Sequence, residues 1–117
     1  MKRRSDNILL YDILECCDRI ASYIEGVTRV TFEENYQLQD ALIRKLEVIG
    51  EAAKGLSSEI TANDPEVPWS KMAGMRDRMV HQYFRVDLDV VWKTVTVDIP
   101  LLRSQIGSIY ERVSATE

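Results

Sequence analysis

Three stretches of this chain repeat apolar side chains every three or four positions, and that period dictates helices. Leu9, Ile13, Cys16, Ile20, Ile24 and Val27 form the first stripe. Leu38, Leu42, Leu46, Ile49, Ala53 and Leu56 form the second; Val91, Val95, Ile99, Leu102, Ile106, Ile109 and Val113 form the third. Each puts its apolar groups on one side of a helix and asks for partners to cover them. Ser5 or Asp6 can cap the first helix, which stops at Gly26. Thr31 and Glu34 have capping-box spacing, so the second helix is expected to open there and run to about Leu56. Gly50 inside it costs roughly 1 kcal/mol relative to alanine, which a close helix–helix approach would offset.

The segment NDPEVP is the one clear break, because Pro65 and Pro68 exclude a continuous helix. Pro68 can begin a third helix expected from about Trp69 to Gln82. Asp87 or Asp89 caps the last, and Pro100 should kink it. The β-branched run VVWKTVTVDI invites a strand, but its apolar period continues helically through Val113. The expected fold is all-α: an antiparallel bundle of four to five helices with a kinked C-terminal helix, one domain over residues 1–117.

No stretch approaches the roughly 20 apolar residues that span a bilayer. The N-terminal MKRRSDNILLYDILECC is basic and then apolar, but Asp6, Asp12 and Glu15 interrupt it and no small-residue cleavage site follows, so it is not read as a signal peptide. Cys16 and Cys17 are adjacent on a helix and point about 100° apart, so they are read as small packing residues in a reducing cytoplasm. One histidine and a cysteine doublet are too few ligands for a metal site, and neither metal nor cofactor is expected.

The formal charge of −4 argues against general coating of nucleic acid, and no DNA partner is expected. Charge is uneven, however. Lys71, Arg76, Arg78 and Arg85 stand against Asp77 alone between residues 71 and 85, a local balance of +3. Such an island suits a small anionic target, and equally a solvated helix face.

Within that island, MRDRMVHQYF holds the only histidine, His81. On a helix Asp77 and His81 are four apart and share a face, so the carboxylate could orient the imidazole. Arg76 and Tyr83 are seven apart and share another. Arg76 and His81 stand roughly 140° apart on an ideal helix, so they converge only if the helix loosens near His81 or a second subunit contributes. An arginine that holds phosphate and a histidine that moves a proton are the minimal parts for cleaving RNA through its 2′-hydroxyl without metal. Arg78 is read as a phosphate contact or a solvated side chain, and Glu51 as a site residue or an ordinary surface glutamate. Trp69, Trp92 and the tyrosines at 11, 23, 36 and 110 are read as packing residues.

The pattern R-x4-H-x-Y, here Arg76 to Tyr83, resembles the signature of the HEPN superfamily, and of its HepT branch in particular. LYDILECCDRIASYIEG resembles that family's first helix and QDALIRKLEVIGEAAKGL its IGEA-containing helix. PWSKMAGMRDRMVHQYFRVDLDVVWKTVTVDIPLL resembles its motif and final helices. Arg85 departs from the pattern, standing where relatives often carry glycine and adding a positive charge. The resemblance implies a homodimer in which two motifs meet in a cleft, with Arg76 and His81 catalytic and Asp77 matching the polar position that follows the motif arginine. Beside these, Glu51 stands as a candidate supporting residue, and Arg78 and Arg85 as candidate RNA contacts by their charge. The resemblance also implies an RNase toxin of a toxin–antitoxin pair, silenced when an MntA-like nucleotidyltransferase antitoxin transfers AMP to Tyr83. The alternative is a non-catalytic HEPN partner that binds nucleotide and docks a minimal nucleotidyltransferase without cutting RNA.

Overall fold

The computed structural model describes residues 5–81 and 85–116, with backbone alone at residues 80 and 81. Helix α1 spans Asp6–Ile24 and is capped by Ser5, whose hydroxyl accepts from the Ile8 amide. Gly26 follows with φ +72°, a left-handed turn that glycine enters without a Cβ clash. The chain then forms a short α2, Arg29–Glu34, before α3, Tyr36–Gly55.

Here the expected capping box is corrected. Thr31 lies inside α2, and the caps are Thr28, which accepts from the Thr31 amide, and Asn35, which accepts from Leu38. Two strong N-cap residues seven apart make two helix starts where the spacing of Thr31 and Glu34 suggested one. Gln39 secures the corner, its amide donating to the Phe32 and Glu33 carbonyls at 2.9 and 3.1 Å.

The short α4, Ser58–Asn63, precedes the proline-rich break. Two five-residue helices follow, α5 (Trp69–Ala73) and α6 (Met75–Met79). The last rod consists of α7 (Leu88–Lys93), a π-helical turn (Thr94–Asp98) and α8 (Ile99–Ala115). Asp87 caps it through the Val90 amide. The π turn has a direct cause in Pro100, which lacks an N–H and would crowd the carbonyl four residues back. The Ile99 amide reaches Thr94 instead, five residues back, while Thr94 and Thr96 hydroxyls bond the Val90 and Trp92 carbonyls at 2.6 Å. The expected kink is therefore a π insertion just ahead of the proline.

Residue pairs along α1 and α8 fix their direction. Asp18 meets Arg103, Tyr11 meets Tyr110 and Asn7 meets Ser114, so the two run antiparallel. The start of α1 meets the end of α3, where Asp6 accepts from the Ser57 amide and hydroxyl at 2.9 and 2.6 Å. The three long elements thus close one core, in which Leu10, Ile13, Ile20, Leu42, Leu46, Ile49, Val91, Ile106 and Ile109 are buried. Arg112 grips both oxygens of buried Asp64 at 2.6 and 3.4 Å and ties α8 to the proline-rich loop.

The aromatic residues divide. Trp92 packs on Phe32 with ring centroids 5.0 Å apart, and the Trp69 indole donates to the Asp64 carbonyl at 2.9 Å. Tyr36, expected to pack, is instead exposed at the first turn of α3.

Gly50 confirms the expected close approach. A Cβ there would sit 2.8 Å from the carbonyl oxygen of Met72, so α3 lies directly against the backbone of α5. Cys16 and Cys17 are free and buried, and burial pushes the Cys17 thiol up to about 12.

Two outcomes follow. Gly50→Ala should lower the unfolding free energy by about 1–3 kcal/mol, measured by urea denaturation, because the obstructing atom is backbone and the overpacking outweighs the gain in helix propensity. Cys17 has a raised folded pKa, so its stabilising contribution is complete below the ordinary value of 9.0 and is lost as pH rises toward about 12. At pH 8 a thiol-alkylating reagent should therefore label Cys17 at least about a hundredfold more slowly in the folded protein than in denaturant.

Candidate functional site

The site begins with the two methionines of α6. Met75 and Met79 are four apart and buried, and they decide which way this five-residue helix faces. At about 100° per residue, Arg76 and Arg78 then fall on opposite flanks of the buried stripe, and Asp77 on the side away from it. All three are exposed. Arg76 faces α3, where its Nε lies 3.5 Å from Glu47 Oε2. Arg78 turns to the other flank and lines a cavity shared with the π turn and α8.

The Arg76–Glu47 pair is a consequence of the Gly50 contact. Glu47 stands one turn before Gly50 and Arg76 one turn after Met72, so helices crossing with those residues in contact bring the charges together. Sequence reading missed Glu47, since its only signal is its spacing from a glycine whose partner is unknown until the chain is folded.

The helix expected to continue to Gln82 ends at Met79. Gly74 divides it from α5, and Val80–His81 forms strand β1, paired antiparallel with β2 at Arg85–Val86. Val80 stands opposite Val86 and His81 opposite Arg85, and the Asp87 amide donates to the Met79 carbonyl at 2.6 Å. The capping of α7 by Asp87 fixes the returning strand, and β-branched Val80 and Val86 suit extended backbone. The helical spacings inferred for His81 with Asp77 and with Arg76 therefore do not apply: His81 lies beyond the helix end, on extended chain.

This arrangement puts Arg76, Asp77 and Arg78 on one short helix and aligns the backbones of His81 and Arg85. The His81 side chain and the whole of Tyr83 lie outside the described residues. Glu51 is not brought to Arg76; it is exposed one turn farther along α3 and pairs with Lys54 at 3.3 Å. Among the described residues, no group of three or more His, Cys, Asp or Glu could hold a metal ion, and no helix is long and apolar enough to cross a membrane.

Residues 13–109 match the model of the ribonuclease HepT-like family. The chain belongs to that family. It is 41% identical over 107 residues to a protein of Thermococcus cleftensis named "Probable ribonuclease HepT", covering 92% of this chain and 97% of the relative. A Methanocaldococcus jannaschii protein with a provisional RNase name is 36% identical over 117 residues, 100% of this chain and 97% of its own. A second from that organism, named in the same way, is 38% identical over 109 residues, 93% and 94% of the two chains. No solved structure matches. The family places the chain among ribonucleases.

Arg76 is largely exposed, so its ion pair with Glu47 is screened by water and salt. Arg76→Ala should change the unfolding free energy by no more than about 1 kcal/mol in urea denaturation. A loss of activity in that variant would then report on chemistry and not on folding.

Proposed function

We propose that this protein is a metal-independent endoribonuclease in which two copies of the chain bring Arg76 and His81 to one shared cleft. The observation that carries this reading is an exposed guanidinium at the edge of a five-residue helix, with the lone histidine on the strand that leaves its end, in a chain of the HepT-like family. Arg76 offers a planar, permanently charged fork for a phosphodiester. His81 carries an imidazole, the side chain best suited to taking up and giving back a proton at physiological pH.

In the reaction, one His81 imidazole takes the proton of the ribose 2′-hydroxyl. The freed oxygen attacks phosphorus and forms the 2′,3′-cyclic phosphate. The bond to the 5′-oxygen breaks, and the second copy's imidazolium protonates that leaving group. Arg76 stabilises the charge that builds on the phosphoryl oxygens. Arg85, opposite His81 in the hairpin, and Arg78 add positive charge that draws RNA toward the motif. Asp77, on the same helix as Arg76, acts as a supporting group, whereas Glu51, paired with Lys54, is left without a part in the reaction.

We also propose that the protein is the toxin of a toxin–antitoxin pair. A nucleotidyltransferase partner would silence it by attaching AMP to the Tyr83 hydroxyl, releasing pyrophosphate from ATP. A phosphodiester beside His81 adds bulk and negative charge where RNA must enter.

The test is cleavage of a labelled single-stranded RNA in EDTA. The wild type should cut, and His81→Ala and Arg76→Ala should each lose about 10²–10⁴-fold in rate. Parental cleavage by His81→Ala would overturn the catalytic assignment; nucleotide binding without cleavage under any condition would favour the non-catalytic partner. On co-expression with the nucleotidyltransferase, intact-mass spectrometry should show AMP additions that vanish in Tyr83→Phe.

A further inference from the structure

The cavity on the Arg78 flank of α6 has a composition that the chemistry at Arg76 and His81 does not use. It measures about 130 Å³ and opens between α5, α6, the π turn and α8. Met72, Met75 and Leu102 are buried residues along its apolar wall. Lys71, Arg78 and Lys93 also line it, with Asp98 the single acidic residue, 3.7 Å from the Lys93 ammonium. Gln105 completes the lining, and its side-chain Oε1 is buried without a hydrogen-bond partner.

Each feature narrows the occupant. The volume lies below the roughly 300–1,000 Å³ of drug-sized ligand pockets, so a nucleobase enters and a whole nucleotide does not. Methionine sulfurs favour aromatic neighbours, and two of them face this space. Three cations against one carboxylate favour a group that carries phosphate outside the ring. The unpaired Gln105 oxygen is a buried acceptor that gains when its amide turns to meet an N–H.

We propose that this cavity is a nucleobase subsite for the RNA substrate, with Gln105 accepting a hydrogen bond from the base and Lys71, Arg78 and Lys93 holding the adjoining phosphates. The proposal rests on the ribonuclease reading given above. Adenine and cytosine fit best, since each offers an exocyclic amine. Uracil's own N–H, at N3, is flanked by two carbonyl oxygens that an apolar wall cannot pair. Because α6 turns Arg76 to its other flank, the subsite anchors RNA away from the reacting phosphate. It governs KM and sequence preference and leaves kcat unchanged.

The experiment measures binding of short fluorescent A, C and U homo-oligomers to the Arg76→Ala protein, in which cleavage is slowed by about 10²–10⁴-fold, and cleavage kinetics in the otherwise wild-type protein. A and C oligomers should bind about five- to tenfold more tightly than U, the worth of one net hydrogen bond. Gln105→Leu should erase that preference and raise KM for A- and C-containing substrates with kcat unaltered. Lys71→Ala with Lys93→Ala should weaken all sequences alike and flatten the salt dependence. Thermal melts should show Gln105→Leu no less stable than wild type, because it removes an unpaired buried acceptor. RNA binding with no base preference, or a preference that survives Gln105→Leu, overturns the subsite and leaves the ribonuclease reading intact. Absence of RNA binding and cleavage in every protein, wild type included, overturns both.

Discussion

The contact between Gly50 and the Met72 carbonyl sets the geometry of everything near the motif. Two helix backbones meet there without an intervening side chain, which fixes the rotation and height of α5 against α3. Helix α6 follows α5 after a single glycine, so the same contact delivers Arg76 to Glu47. The helical propensity lost at Gly50 is about 1 kcal/mol. The compensation is positional: an eleven-residue stretch too short to hold itself in place is located by one backbone-to-backbone approach.

The buried methionines then divide the functional side chains. With Met75 and Met79 turned inward, a helix barely longer than one turn must show Arg76 to one side and Arg78 to the other. One flank meets the polar edge of α3, and the other meets the π turn that Pro100 forces on the last rod. A proline on α8 thereby shapes one wall of a cavity that Met72, the residue against Gly50, also lines. The two flanks therefore meet different surroundings, Glu47 of α3 beside Arg76 and a cavity beside Arg78.

Much of the fold was legible because long amphipathic helices declare themselves by period. The stripes on α1, α3 and the last rod are buried along most of their length, and Val91 through Ile109 kept its helical reading despite a β-branched run. Short elements were not legible. Thr28 and Asn35 ended and restarted a helix where a capping-box match at Thr31 and Glu34 had suggested continuity, since several residues near one another can cap and only packing selects among them. The break at Met79 was hidden for a related reason: Val80 and Val86 favour extended chain only weakly alone, and the Asp87 cap and the cross-strand register make it decisive.

The sequence by itself determined that this chain is a helical bundle and that Gly50 marks a close approach. The apolar stripes are written in spacings of three and four residues, which a helix converts directly into faces. Tertiary structure decided that the motif helix ends before His81, that Glu47 stands beside Arg76, and that Lys71, Lys93 and Gln105 line one cavity with Arg78. These residues come from separate elements, and only the packing of α3, α6 and α8 around shared core side chains brings them near one another.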